Sequence, residues 1–196
     1  MAYWPRLQPQ LDGSKTAGED CGPRAASTGC DWATEGKLVP TMPDFRKRAG
    51  RLTGDTNTEQ LTKALVSYDT VRETGGRTDI KAYRKVAQSR NVLREAVTAG
   101  KYVVVQMSYA VLNELRPALS GDRRFQGMHS IGVVGHRTRE GEVQWRVYDS
   151  LADGRRAGIA KGPDWWPRWL VEATAAGFTK HEQTFTGVVI NKTKAA

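Results

Sequence analysis

The sequence predicts an α+β fold in which helices come first and mainly antiparallel strands follow. Three observations carry that expectation. The first half is a succession of short segments with apolar residues at helical spacing, each closed by a breaker. From Lys101 onward the chain turns to short β-branched runs bounded by turn residues. Strand-like and helix-like segments do not alternate regularly, which argues against a parallel βαβ sheet. The 196 residues suffice for one domain with its own core, and no internal repeat or low-complexity tract divides them. Residues 1–196 are therefore read as a single domain.

Residues 1–20, with Pro5, Pro9 and two glycines, form an irregular lead-in. Cys21 to Glu35 carries Ala25, Ala26, Cys30, Trp32 and Ala33 and stops at Gly36, so a helix is expected there. Pro23 suits its first turn, where a missing N–H costs nothing, and Cys21 falls at the helix N-terminus. Pro40 to Gly50 reads as a short helical turn. A helix over 57–68 follows the capping-box pattern of Thr56 and Glu59 and carries Leu61, Leu65 and Val66. Tyr68 to Glu73 reads as a short strand, Gly75-Gly76 as a turn and Thr78 to Ala87 as a helix. Asn91 to Ala99 is helical by pattern, with Gly100 as its stop.

Strands are expected at Tyr102–Ser108, Ser130–Gly135, Val143–Tyr148 and Thr184–Asn191. Asp164 to Ala176 reads as a short helix ended by Gly177. Its Trp165, Trp166 and Trp169 read as aromatic core rather than as a carbohydrate or partner platform. The last residues, 192–196, should fray.

Composition narrows the function classes. With 39% hydrophobic and 26% charged residues the chain reads as soluble and globular, and no apolar run approaches the roughly 20 residues that span a bilayer. The segment from Met1 to Leu7 lacks the basic and apolar parts of a secretory signal, so synthesis in a cytoplasm and no membrane partner are expected. A net charge of +9 favours polyanions in general. The basic clusters Arg46-Lys47-Arg48, Arg123-Arg124 and Arg155-Arg156 are short and lack interleaved aromatics. They read as solvated surface, and no specific nucleic-acid partner is expected.

Two cysteines are too few for a disulfide framework. Nine residues apart on one helix, Cys21 and Cys30 point to opposite sides and should not bridge. Cys30 reads as a buried core thiol. Cys21 differs, because a nucleophilic cysteine needs its thiolate, and a helix N-terminus supplies part of the stabilising positive charge. An imidazolium would supply the rest.

Of the three histidines, His181 sits in a polar stretch and His136 at a strand end. His129 directly precedes Ser130-Ile131-Gly132-Val133-Val134, at the mouth of a buried strand. If the strands on either side of Thr138–Gly141 form a hairpin, His129 and Asp149 lie ten residues to either side of Arg139 and face each other at the open end. A carboxylate beside the imidazole fixes its tautomer and makes it a better base, completing a Cys–His–Asp arrangement. No Cys-x-x-Cys, close His/Cys spacing or P-loop is present, so no metal and no cofactor are expected.

The segments Asp20-Cys21-Gly22-Pro23-Arg24-Ala25-Ala26, Met128-His129-Ser130-Ile131-Gly132-Val133-Val134-Gly135 and Val147-Tyr148-Asp149-Ser150 together resemble a known family. It is the papain-like peptidase domain that matures double-glycine bacteriocin leaders, with its wider relatives, and the likeness spans about Gln8 to Leu151. What the resemblance implies is a papain-like fold with N-terminal helices on a mainly antiparallel sheet. It also implies a cysteine peptidase that works through an acyl-enzyme on a protein, a peptide or the peptide stems of bacterial cell wall. The family completes its oxyanion hole with a glutamine upstream of the cysteine. Gln10 is the first candidate and Gln8 the second; the gap from Gln10 to Cys21 exceeds the family's usual one, which implies an insertion over Leu11–Glu19. Relatives often carry Asp-Pro where this chain has Asp149-Ser150. The basic, Arg/Ala/Trp-rich chain would suit an actinobacterial phage protein. In that setting the alternative is a catalytically silent module in the tail, with other virion proteins as partners.

Overall fold

The computed structural model describes residues 3–10, 14–68, 77–152 and 163–193; for 77–87, 192 and 193 it describes the course of the backbone only. Three helices come first: α1 (Cys21–Ala33), α2 (Met42–Ala49) and α3 (Thr58–Ser67). β1 (Arg77–Ser89), α4 (Arg90–Thr98), β2 (Tyr102–Ser108) and α5 (Tyr109–Leu115) follow. β3 (Met128–Arg139), β4 (Glu142–Tyr148), β5 (Asp164–Pro167), α6 (Arg168–Thr179) and β6 (Thr184–Thr193) complete the order. The strands make one sheet in the order β1-β6-β2-β3-β4-β5, with every neighbouring pair antiparallel.

This is an α+β arrangement, but helices cover both faces of the sheet. Along β2 the side chains alternate between two cores. Val103, Val105 and Met107 pack with Leu93 and Val97 of α4, Leu112 of α5, and Leu170 and Val171 of α6. Tyr102 and Val104 pack with Ala25, Ala26 and Cys30 of α1, Phe45 of α2, and Leu61 and Leu65 of α3. A strand buried on both faces needs no polar alternation, which is why Val103-Val104-Val105 runs unbroken. Small residues let α1 lie close to the sheet: a Cβ at Gly29 would come 2.4 Å from Ile190 Cδ1, and the Tyr102 hydroxyl donates to the Ala25 carbonyl at 2.9 Å. The helix is buried from Gly22 to Ala33.

Several local expectations are corrected. Thr78–Ala87 is not a helix but most of β1. Its Lys81, Ala82, Arg84 and Lys85 favour a helix locally, yet pairing with β6, in the register Ile80↔Ile190, overrides them. The helix expected from Asp164 begins only at Arg168, because residues 164–167 pair with β4. The capping box is formed by Asn57 and Gln60 rather than by Thr56 and Glu59. Of the strand expected at Tyr68–Glu73, Tyr68 closes α3 and the rest lies outside the described residues, as do Arg155-Arg156.

The β3–β4 hairpin turns at Glu140 and Gly141, both with positive φ (52° and 79°), a type I′ turn whose twist suits a two-residue hairpin. A bulge at Gly135 shifts the register, which near the open end runs Gly132↔Tyr148. Continued, it would set His129 opposite Leu151. The expected direct pairing with Asp149 is thus off by two, which leaves the two residues as diagonal neighbours on one face. None of the described helices is long and apolar enough to cross a membrane.

Candidate active site

Cys21 opens α1, and the preceding residue is held by a buried ion pair. Arg46 Nε donates to Asp20 Oδ1 at 2.6 Å, and the Thr16 hydroxyl to Oδ2 at 3.1 Å. The same guanidinium donates to the carbonyls of Glu19, Arg51 and Gly54. Arg46 is therefore 2% exposed, not part of a solvated basic cluster. With its carboxylate committed to Arg46, Asp20 makes no side-chain cap on α1, and the positive end of the helix is left to the Cys21 sulfur. Burial pushes the thiol pKa up. Hydrogen bonding and charge from His129, with the Ser130 and Gly22 N–H groups, more than offset this and hold it below its ordinary value.

His129 stands at the start of β3, 2% exposed. Its Nε2 is 2.8 Å from Asp149 Oδ1. Its Nδ1 has no partner at full hydrogen-bond geometry, yet ring and thiol lie close enough for each to shift the other's pKa. That looseness is usual for a catalytic pair without substrate. Burial pulls the imidazole down, but Asp149 and then Cys21 raise it to about 10. Burial likewise pushes Asp149 up, and the contacts with His129, Tyr109 and the Leu151 N–H bring it below its ordinary value. Thiolate and imidazolium therefore each stabilise the charged form of the other.

Tyr109, absent from the sequence reading, holds the carboxylate. Its hydroxyl donates to Asp149 Oδ2 at 2.6 Å and accepts from the Gly121 N–H at 2.7 Å. Oδ1 also accepts from the Leu151 N–H at 2.9 Å. The Tyr109 ring meets His129 edge-on, with centroids 4.9 Å apart, and Phe125 does the same at 6.1 Å. No motif announces this tyrosine; it is placed by the strand that ends one residue before it.

Gln10 is 4% exposed and tied to the residue after Asp149. Its N–H donates to the Ser150 carbonyl at 2.9 Å, and its Oε1 accepts from the Ser150 hydroxyl at 3.1 Å. A proline at position 150 would offer no hydroxyl. With Oε1 occupied, the amide nitrogen of Gln10 is the end free to donate. Gln8 lines a separate cleft of about 610 Å³ with Arg24, Met42 and Leu52. Cys21 and His129 share a cleft of about 430 Å³ that Gln10 does not line. Arg51, Asp55 and Thr56 stand on it, as do Met128 and Phe178.

The other candidates fall away from this cleft. His136 and His181 are exposed. Cys30 is buried and free, and burial followed by the charge of Asp31 pushes its thiol up to about 12. Of the three tryptophans only Trp166 is core, at 2% exposed; Trp169 is 42% exposed, and Trp165 lies under the Arg137 guanidinium at 4.4 Å. Among the described residues no cluster of three His, Cys, Asp or Glu side chains is placed to hold a metal ion. No family model matches the chain, and no curated protein matches it.

Proposed function

We propose that this chain is a papain-like cysteine peptidase that hydrolyses amide bonds through Cys21, with His129 as acid and base and Asp149 as the group that orients it. The observation that supports this most is the buried Asp149–His129 pair acting on a thiol at an uncapped helix N-terminus, in a cleft open to substrate. The thiolate attacks the amide carbonyl carbon, and the carbonyl π pair moves onto oxygen. As that pair returns, the C–N bond breaks and His129 gives its Nδ1 proton to the leaving nitrogen, leaving a thioester. Water, deprotonated by the now neutral His129, then releases the acid and regenerates the thiolate. The Cys21 N–H is the oxyanion donor we assign; the Gln10 amide, oriented by Ser150 but off the wall of the Cys21 cleft, is the second donor that the family resemblance implies. The substrate we propose is a protein, a peptide or the peptide stem of bacterial wall.

The test begins with iodoacetamide at pH 7. Cys21 should be alkylated at least ~100-fold faster than Cys30. Hydrolysis of a peptide library and of purified peptidoglycan, with Cys21→Ala as the control, should then show turnover lost by ~10³-fold or more in that variant. Equal, slow labelling of the two cysteines would sink the enzyme reading and leave a structural or binding module.

A further inference from the structure

Two buried polar atoms on the walls of the Cys21 cleft have no hydrogen-bond partner: His129 Nδ1 and Thr56 Oγ1. The first is the atom a nucleophile's base must keep free. The second has no use in the folded chain, and an unpaired buried hydroxyl is costly enough to need a reason. Thr56 stands one residue before the cap of α3, which Asn57 supplies. The Asn57 side chain accepts from the Gln60 N–H at 2.9 Å, and the Gln60 side chain accepts from the Asn57 N–H at 3.0 Å. The Thr56 hydroxyl is thereby left over.

Its location is specific. A Cβ added at Gly22 would lie 2.5 Å from Thr56 Oγ1, so a glycine after Cys21 is what lets the hydroxyl approach the first turn of α1. The Gly22 N–H is also one of the groups that lower the pKa of the Cys21 thiol. The loop that carries Thr56 is fixed on the same side as the nucleophile: Arg46, the partner of Asp20, also binds the carbonyls of Arg51 and Gly54, and the Glu19 carboxylate accepts from the Gly54 N–H.

We propose that Thr56 is a catalytic residue: its hydroxyl donates a hydrogen bond to the substrate carbonyl oxygen as Cys21 attacks. This rests on the peptidase reading above. A turn of the Thr56 side chain to another staggered position about Cα–Cβ is the movement this requires. As the Sγ–C bond forms, the π pair of the carbonyl moves onto oxygen and the Thr56 O–H bonds to that oxygen without giving up its proton. When the pair returns and the C–N bond breaks, the hydrogen bond weakens and the hydroxyl is unchanged.

Thr56→Val keeps the shape and removes the donor. The probe is N-acetylphenylalanylglycinal, whose aldehyde forms a tetrahedral adduct with a thiolate. Expected for Thr56→Val is adduct affinity lowered ~10-fold or more, an unchanged rate of iodoacetamide labelling at Cys21, and a melting temperature equal to or above wild type, since an unpaired hydroxyl has been removed from the interior. Thr56→Ser should restore the affinity. Adduct affinity within ~2-fold of wild type, or a loss accompanied by a lower melting temperature and not restored by serine, overturns the proposal. If wild-type Cys21 is labelled no faster than Cys30, the peptidase reading fails and this one with it. Selective labelling with an indifferent Thr56→Val removes Thr56 alone.

Discussion

The first residue and the tenth of α1 are both cysteines, and their thiols are driven in opposite directions. Burial works against the thiolate at both. At position 30 nothing opposes it: the surrounding N–H groups are spent on helical hydrogen bonds, and the neighbouring Asp31 adds a like charge. At position 21 the helix has not yet begun to use its N–H groups, the nearest carboxylate is neutralised by Arg46, and an imidazolium adjoins. The two thiols thus differ by their place along one helix, together with the fuller burial of Cys30.

The strongest way to break this contrast is His129→Ala. Without the imidazolium the Cys21 thiol should titrate higher, toward Cys30; labelling at pH 7 should slow at least ~10-fold and turnover fall ~10³-fold. In the wild type, hydrolysis should rise with pH through the lowered pKa of Cys21 and fall again near 10, where His129 loses its proton. Stability should follow the same ring. Its folded pKa is raised, so its contribution is fully present below its unfolded value and is lost as pH rises through about 10. Melting temperatures across pH 8–11 check this, and His129→Ala should lack that alkaline loss.

Tyr109→Phe sharpens the contrast more gently. It leaves the triad in place but frees one Asp149 oxygen and strips the Gly121 N–H of its acceptor. Turnover should drop about tenfold at neutral pH, with the alkaline limb of the profile displaced. A profile of unchanged shape would mean that Tyr109 serves packing alone. Cys30→Ala should have the smallest effect, no change in Cys21 labelling and a stability cost of about 1 kcal/mol measured by denaturant titration. A slower Cys21 in that variant would show that the two ends of the helix are not independent.

What the sequence made legible was local or strongly patterned. Cys21 at a helix start follows from Gly22 and Pro23, and the β-branched runs mark β2, β3, β4 and β6. His129 and Asp149 were paired by hairpin symmetry even though the true register is shifted by two, because a shift of two keeps both side chains on one face. What stayed hidden depends on distant partners. β1 is a strand through its pairing with β6, and the two-faced burial of the sheet emerges only when α4, α5 and α6 close over it. Arg46 looks like surface charge until Asp20 is seen beside it. Tyr109 carries no motif, Thr56 carries one that reads as a helix cap, and a single residue's difference in where α3 is capped decides whether the Thr56 hydroxyl is spent or free.

The sheet order has a consequence for synthesis. β6, the last strand in the chain, lies between β1 and β2, so a ribosome delivers one of the middle rungs after all the others. Until it arrives, β2 lacks a neighbour on one side, β1 has no partner at all, and the two cores lack Phe185, Val188, Val189 and Ile190. Such non-local closure is slow. A nascent chain would carry Cys21, His129 and Asp149 well before the scaffold that holds them is complete, and their arrangement would form only once β6 has been made.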